Sequence, residues 1–383
     1  MIKEAPKGWD LVNFDSFFTV LPSKKYQVQK QDYLEKGIVP VVDQGQKLVI
    51  GYTDDESKKF NKNNVIIFGD HTRIVKYIDF DFAVGADGTQ ILETKDGINL
   101  KFGYYQLLNK KIPDTGYNRH FKYVKAEKYV IPPTLAEQQE IVQVLDTMSD
   151  IIRLREECIS HAQDLIPAIF QEMFGDANNN ITKSTIVRFR DCIDLNPSKP
   201  NLDDNLNVTF LGMKDISEKG QVDLSTTKTY EEVKKGFTNF ENEDVLLAKI
   251  TPCFENGKAA IVRNLLNGYG FGSTEFYVLR PHQNIILPEY VYAIIKSYTF
   301  AEPGKYKMTG AAGQKRLPKD YILNYKFPLP PLEAQEQFAE KVREINSYIE
   351  EQQEELENAK QMFQSLLHHA FTGELTRRAY GEN

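Results

Sequence analysis

Three stretches of this 383-residue chain hold residue types that could do chemistry. Asp81 with Glu93-Thr-Lys95 has roughly the spacing of a nuclease carboxylate–lysine set, in which acids hold a metal and the lysine faces developing charge. The corresponding segment in the second half of the chain ends Val278-Leu-Arg280, so the motif is of low specificity. Phe82-Ala-Val-Gly-Ala-Asp-Gly88 is similar to a glycine-rich cofactor turn. An adenine methyltransferase would also need Asn/Asp-Pro-Pro-aromatic, and the nearest stretch is Asn196-Pro197-Ser198-Lys199. The glycines therefore read as strand-turn residues. No Gly-x4-Gly-Lys-[Ser/Thr] phosphate loop is present. His71, His120, His161, His282, His368 and His369 have no metal-ligand spacing with cysteine or carboxylate partners. A Ser/His/Asp triad is spatial and leaves no spacing to read; nothing points to one. The chain reads as a protein that binds and does not itself catalyse.

Binding chemistry is better represented. The net charge of −7 looks unfavourable to nucleic acid, but its distribution reverses that impression. Residues 134–174 and 332–371 each carry a net −6, which leaves everything else at +5. Residues 101–128 and 296–326 each hold seven Lys/Arg against two acids. A cationic patch of this kind is the usual footprint of a phosphate-contact surface. Solvated lysines are the commoner explanation of any single cluster; two clusters at matching places lower its weight. Two loops beside these stretches are dense in side-chain donors: Asp70-His-Thr-Arg73 and Thr115-Gly-Tyr-Asn-Arg-His-Phe-Lys-Tyr-Val.

The elements that must position these loops are written twice. Tyr129-Val-Ile-Pro-Pro-Thr-Leu-Ala-Glu-Gln-Gln-Glu-Ile returns as Tyr325-Lys-Phe-Pro-Leu-Pro-Pro-Leu-Glu-Ala-Gln-Glu-Gln-Phe, at a constant offset of 197 from Gln138 and Gln335 onward. Ahead of each copy lies a strand-rich module. In the first, Val39-Pro-Val-Val, Lys47-Leu-Val-Ile-Gly-Tyr, Val65-Ile-Ile-Phe and Thr89-Gln-Ile-Leu-Glu read as strands, and Phe102-Gly-Tyr-Tyr-Gln-Leu-Leu-Asn has helical spacing. In the second, Glu243-Asp-Val-Leu-Leu-Ala-Lys-Ile-Thr-Pro, Gly270–Leu279, Tyr290-Val-Tyr-Ala-Ile-Ile and Thr309-Gly-Ala-Ala-Gly-Gln-Lys-Arg-Leu repeat the plan.

Behind each copy apolar residues recur at a 3.5-residue spacing, the mark of a helix seam. The first seam runs Ile141, Leu145, Met148, Ile152, Arg155, Ile159; the second runs Phe338, Val342, Ile345, Ile349, Gln352, Leu356. Gly175 ends the first helix, Asn178-Asn-Asn180 is a linker, and Pro167 is expected to kink or interrupt the last turns. Two such helices most simply pair antiparallel, with the modules at opposite ends of a rod. Arg155 and Gln352, one polar step in each seam, would then meet at the axis and fix register; the alternative, of equal weight, is a solvated arginine reaching out from the seam edge.

The order of these parts resembles the specificity subunit of type I restriction–modification systems, over essentially the full length. Gly8-Trp9 opens the first module, and Pro132-Pro133 with Gln138 and Gln139 and Pro330-Pro331 with Gln335 and Gln337 open the two helices. The ending Leu367-His-His-Ala-Phe-Thr-Gly-Glu-Leu-Thr is similar to the family's own. Two departures are an extra residue, Thr134, and no clear tryptophan at the start of the second module. The resemblance implies an α+β fold: two mixed α/β target recognition domains in tandem, separated by two long antiparallel coiled-coil helices. The divisions are residues 1–132, 133–175, 176–330 and 331–383.

It further implies that each domain reads half of a bipartite target in double-stranded DNA, and that the helices set the gap. Two modification (methyltransferase) subunits would dock on the chain, and restriction (motor-nuclease) subunits would join them. S-adenosylmethionine, ATP and Mg would be bound by those partners, with no cofactor in this chain. The candidate DNA-binding residues are His71, Arg73, Asn118, Arg119 and His120, with Lys122 on phosphate, and Lys249, Thr251, Gln314, Lys315 and Arg316. The alternatives are a coiled-coil scaffold that binds proteins only, and a DNA enzyme with an undetected site. The N-terminal residues hold no apolar run that would make a signal peptide, and no window approaches the ~18 apolar residues of a membrane helix. Three scattered cysteines fit a reducing compartment, so the expected location is the cytoplasm.

Overall fold

The structure is a computed structural model, and it describes residues 4–375 apart from 63, 86–87, 117, 176–184 and 312. The Asn178–Asn180 linker lies outside the described residues. The chain divides into two compact units, Met1–Glu157 with Gln353–Asn383, and Cys158–Gln352.

In the first unit the uninterrupted apolar run Val65–Gly69 becomes a strand buried at every position. Its alternation serves two cores. Ile66 and Phe68 face a cluster with Phe14, Phe17, Phe18, Phe102 and Tyr129, while Val65 and Ile67 face Val42, Phe60, Ile78 and Phe82. The strand is central in an antiparallel sheet ordered Phe18–Leu21, Thr89–Thr94, Val65–Gly69, Val75–Ile78. A smaller sheet orders Gly51–Thr53, Val39–Val42 and Ala83–Val84, the last pair parallel. Asp10–Asn13 pairs with Lys128–Ile131 and brings the two ends of the module together.

The second unit repeats the strand order of the main sheet, while its other sheet has four strands in place of three. Val245–Ala248 is buried at every position, with Val245 and Leu247 in one cluster and Leu246 and Ala248 in another. Its sheet orders Ile193–Leu195, Phe276–Pro281, Val245–Ala248, Ala259–Ile261. A second sheet orders Thr227–Thr229, Asn207–Leu211, Tyr269–Gly272, Thr238–Glu241, and Thr185–Arg188 pairs with Lys326–Leu329.

Two segments differ from the sequence reading. The strand expected from Lys47 forms only at Gly51–Thr53. The buried Lys76 ammonium draws in the carbonyls of Asp43 and Lys47 at 2.8 and 2.6 Å, which holds the intervening residues as a loop. The loop expected over residues 115–124 gives way at Phe121 to a short helix, Phe121–Ala126, because Phe121 and Val124 enter the core.

The long helices span Leu135–Phe174 and Leu332–Thr372. The extra residue Thr134 caps the first: its hydroxyl accepts from the Glu137 N–H at 3.1 Å. Within each unit the start of one helix packs antiparallel on the end of the other. In the first unit Ile141 and Leu145 share a cluster with Leu367, Ala370 and Phe371, while farther along Glu156 bridges Lys360 and Arg155 bridges Glu355. In the second, Phe170 and Phe174 pack on Phe338.

Of the kink or interruption expected at Pro167, the interruption does not occur: the helix continues through it. A mid-helix proline costs ~3 kcal/mol. Ile166, Ile169, Phe170, Met173 and Phe174 on either side all pack into the second unit's core, at ~1.5–3 kcal/mol for each fully buried large side chain. Tertiary burial wins.

Candidate nucleic-acid interface

In both units one backbone frame joins the turn after the central buried strand to the late donor-rich loop. In the first, Asp70 N–H donates to the Gly88 carbonyl at 2.7 Å, and His120 N–H donates to the Asp70 carbonyl at 2.8 Å. In the second, Lys249 N–H donates to the Glu275 carbonyl at 2.9 Å, and Leu317 N–H donates to the Lys249 carbonyl at 2.8 Å. Lys249 thus stands where Asp70 does, and Leu317 where His120 does. The preceding residues, Arg119 and Arg316, are therefore equivalent.

This frame corrects the reading of His120. Its ring is fully buried, Nδ1 lies 2.9 Å from the Asp70 carbonyl, and its counterpart is a buried leucine. A side chain with no solvent access reads no base edge. Asp70 itself, 4% exposed, accepts from Phe121 N–H at 2.8 Å and anchors the loop.

The other candidates divide by what already holds them. Arg73, with φ of +63°, donates to the Asp114 carboxylate at 2.7 Å. The Gly116 N–H, first, and the Arg73 charge hold that carboxyl below its usual range. Asn118 uses its amide on the Thr115 carbonyl. His71 is half-buried, and its backbone N–H donates to the Gln44 side-chain oxygen at 3.0 Å. Arg119 and Lys122 are exposed; Lys122 sits 5.0 Å from the Tyr123 ring, and Arg119 makes no ion pair among the described residues.

In the second unit Arg316 is exposed yet forked onto Glu275 at 2.7–3.3 Å, and this hydrogen bond lowers the Glu275 pKa. Lys249 lies 5.1 Å from the Tyr277 ring, and burial pushes its ammonium pKa down. Thr251 N–H donates to the Lys315 carbonyl at 3.0 Å, while the side chains of Gln314 and Lys315 are exposed.

Sequence reasoning missed the supports behind these loops. Gln44 also accepts from the Thr72 hydroxyl through its carbonyl, and Gly88 (φ +92°) permits that approach: a Cβ there would come within 2.8 Å of both Gln44 and His71. Lys76 holds the Gln44 loop from below, and Lys258 in the second unit donates to the Met213 carbonyl at 2.8 Å in a similar way. Only the glycines of such loops leave a signal in sequence; the lysines read as charge.

The basic stretches are likewise partly spent on folding. Lys101 bridges Asp146, Lys110 is buried 4.8 Å from the Tyr129 ring, and Lys296 donates to the carbonyls of Glu218 and Gly257. Lys111, Arg119, Lys122 and Lys125, and Lys307, Lys315, Arg316 and Lys319, remain at the surface. Among the described residues no three His, Cys, Asp or Glu are grouped to hold a metal, and no helix is long and apolar enough to cross a membrane.

The helix seams surround one further duplicated feature. Gln138 is buried; its amide oxygen accepts from Asn99 N–H at 2.7 Å and its NH2 donates to the Gly97 carbonyl at 3.2 Å. Gln335, also buried, accepts from Leu287 N–H at 2.9 Å and donates to the Ile285 carbonyl at 3.1 Å. Asn99 and Leu287 are the N-caps of the module helices Leu100–Leu108 and Pro288–Lys296. Each glutamine therefore locks its long helix to the start of a module helix by the same pair of bonds. Along the seams Ile141, Leu145, Met148, Ile159, Phe338, Val342, Ile349 and Leu356 are buried, and Ile152, Ile345 and Gln352 are half-buried. Arg155 is held by Glu355 in the first unit, and Gln352 belongs to the second.

The family model of the type I restriction modification DNA specificity domain matches twice, at residues 6–161 and 193–358. The chain belongs to this family. It is similar to the type I restriction enzyme EcoAI specificity subunit of Escherichia coli, at 39% identity over 180 residues that make up 45% of this chain and 30% of the relative. The EcoEI specificity subunit of the same species is 43% identical over 139 residues, 36% of this chain and 23% of the relative. The chain thus aligns with less than a third of the length of either relative. Two solved structures share the fold. One is a type I restriction-modification S subunit from M. genitalium, with a TM-score of 0.57 and 16% identity, covering 95% of this chain and 96% of that one. The other comes from work on complex assembly and conformational transition of a type I R-M system, with a TM-score of 0.53 and 16% identity, covering 97% and 99%.

Proposed function

We propose that this chain is the DNA-specificity subunit of a cytoplasmic type I restriction–modification complex that serves in defence against phage. Each module reads one half of a bipartite target in double-stranded DNA. The long helices set the gap between halves, and their acidic outer faces dock two modification subunits, because acidic surfaces repel phosphate and suit protein partners better. Restriction subunits complete the assembly. The chain carries no catalytic centre in this reading; S-adenosylmethionine, ATP and Mg are held by the partners.

The observation that supports it most is the duplicated loop frame. In two family-matched units, an arginine, Arg119 or Arg316, stands at the same backbone position in a surface loop beside exposed lysines. Arginine forks to guanine O6 and N7 supply the commonest direct base contact, and nearby lysines supply the phosphate contacts that fix register.

The test is base-resolution mapping of methylated adenine in DNA modified by the complex reconstituted with its modification subunits. Arg119→Ala and Arg316→Ala are each expected to relax choice in a different half-site and leave the other intact. Uniformly weaker binding with a smaller salt slope would assign both arginines to phosphate. A complex with no salt-dependent DNA binding would mean a protein scaffold, and methylation or cleavage by the purified chain alone would mean an enzyme.

A further inference from the structure

The two joints between module and long helix share a lock and differ in their keys. The lock is the glutamine pair, Gln138 and Gln335, which superimposes the joints residue for residue. On the module helices Asn99 corresponds to Leu287, so Lys101 corresponds to Glu289. On the long helices the offset of 197 from Gln138 to Gln335 makes Asp146 correspond to Arg343. In the first unit Lys101 of the module bridges Asp146 of the long helix at 2.7 Å, and the Tyr105 hydroxyl donates to the same carboxylate at 2.6 Å. In the second unit Glu289, already paired with Arg263 of its own module at 2.8 Å, also accepts from Arg343 of the long helix at 3.1 Å. The positions are the same and the polarity is reversed.

A second difference accompanies the first. Trp9, the chain's one tryptophan, donates from its indole N–H to Glu137 at the start of the first long helix, at 3.1 Å. The residue equivalent to Glu137 is Ala334, and the second module has no tryptophan to need an acceptor. Module and helix have changed together on both sides of the joint.

We propose that the module–helix joints are charge-keyed, so that each long helix accepts its own module and rejects the other. Seating the first module on the second helix would bring Lys101 against Arg343 and leave Trp9 without its acceptor. Seating the second module on the first helix would put Asp146 in the place of Arg343 and leave Glu289, only 3% exposed, with Arg263 of its own module as its cation and a second carboxylate beside it. Two modules with one fold and one glutamine lock are otherwise interchangeable partners for either helix, within a chain or between two copies. Repulsion against the wrong pairing is how such near-equivalent interfaces become specific. This inference concerns the fit of module to helix and does not depend on DNA binding.

The test uses the full chain without DNA. Asp146→Arg gives the first helix the polarity of the second; Lys101→Glu gives the first module the polarity of the second. Each alone is expected to lower the unfolding midpoint by about 2–4 °C. Each should also speed amide exchange in the Leu100–Leu108 helix while leaving Pro288–Lys296 unchanged. The double variant rebuilds the bridge with reversed polarity but leaves the Tyr105 hydroxyl without its Asp146 acceptor, so it should recover the salt-sensitive part of the loss in both readouts. Lys101 and Asp146 are 39% and 31% exposed, so the losses of the single variants should shrink at about 1 M salt, where the Debye length falls to about 3 Å. Losses that add in the double variant and ignore salt would overturn the proposal, as would single variants with no loss at all.

Discussion

At the scale of residues, the loops separate side chains that are spent on holding the fold from side chains that stay exposed. His120 looks like a donor in sequence and is a core residue in the fold, equivalent to Leu317. His120→Leu should cost about 1 kcal/mol through the lost bond to the Asp70 carbonyl, measured by urea unfolding, and leave half-site choice unchanged. Relaxed choice would show that the ring reaches DNA after all. Arg316 has the opposite character, exposed yet held by Glu275. The Arg316 hydrogen bond holds the Glu275 pKa below its ordinary 4.5. A depressed carboxylate contributes stability above that ordinary value and loses it as pH falls through the folded-state value. The second unit should therefore lose stability below about pH 4.5, and Glu275→Gln should flatten that limb of a pH–unfolding curve. A limb that persists unchanged in the variant would assign it to other carboxylates.

At the scale of elements, the buried glutamines explain why the joint sequences agree while the modules around them diverge. Each satisfies an N–H and a carbonyl at a helix start. Gln138→Leu or Gln335→Leu should destabilise the chain by about 1–3 kcal/mol for each orphaned group, detectable as a shift in urea midpoint. A neutral result would mean that water replaces the amide. Gln106 shows the same backbone accounting: it donates to the Val130 carbonyl at 2.6 Å and accepts from Val130 N–H at 3.1 Å. The matching strand residue in the second unit is Pro328, which has no N–H, and its carbonyl takes the Tyr290 hydroxyl at 2.8 Å instead. Pro167 is a tolerated fault in a helix held by its neighbours. Pro167→Ala should raise the unfolding midpoint, by up to ~3 kcal/mol in stability; a lower midpoint would show that the ring itself packs usefully.

At the scale of the whole molecule, the proposed function makes the helices a spacer and the loops the readers. Inserting four residues after Gln139 and four after its equivalent, Glu336, would lengthen each helix by about 6 Å, close to two base-pair steps of about 3.4 Å. Methylation mapping should then show a longer gap between unchanged half-sites. Changed bases with an unchanged gap would refute the spacer role.

The duplication, the strands at Val65 and Val245, the two long helices and the family were legible in the chain alone. Each rests on a periodicity, an unbroken apolar run or a repeated joint, and those survive in linear order. Three features were not legible. Lys76, Lys101, Lys110 and Lys296 count as basic charge in sequence and are spent on carbonyls, a carboxylate and an aromatic face in the fold. The stretch 47–50 has strand-like composition and is a loop because a lysine from another strand holds the carbonyls of Asp43 and Lys47. The reversed polarity of the Lys101–Asp146 and Glu289–Arg343 bridges joins residues 45 and 54 positions apart. Periodicity reports which face of an element is apolar. The partner that a polar side chain meets there is decided by tertiary packing, which brings distant carbonyls and charges within a few Å.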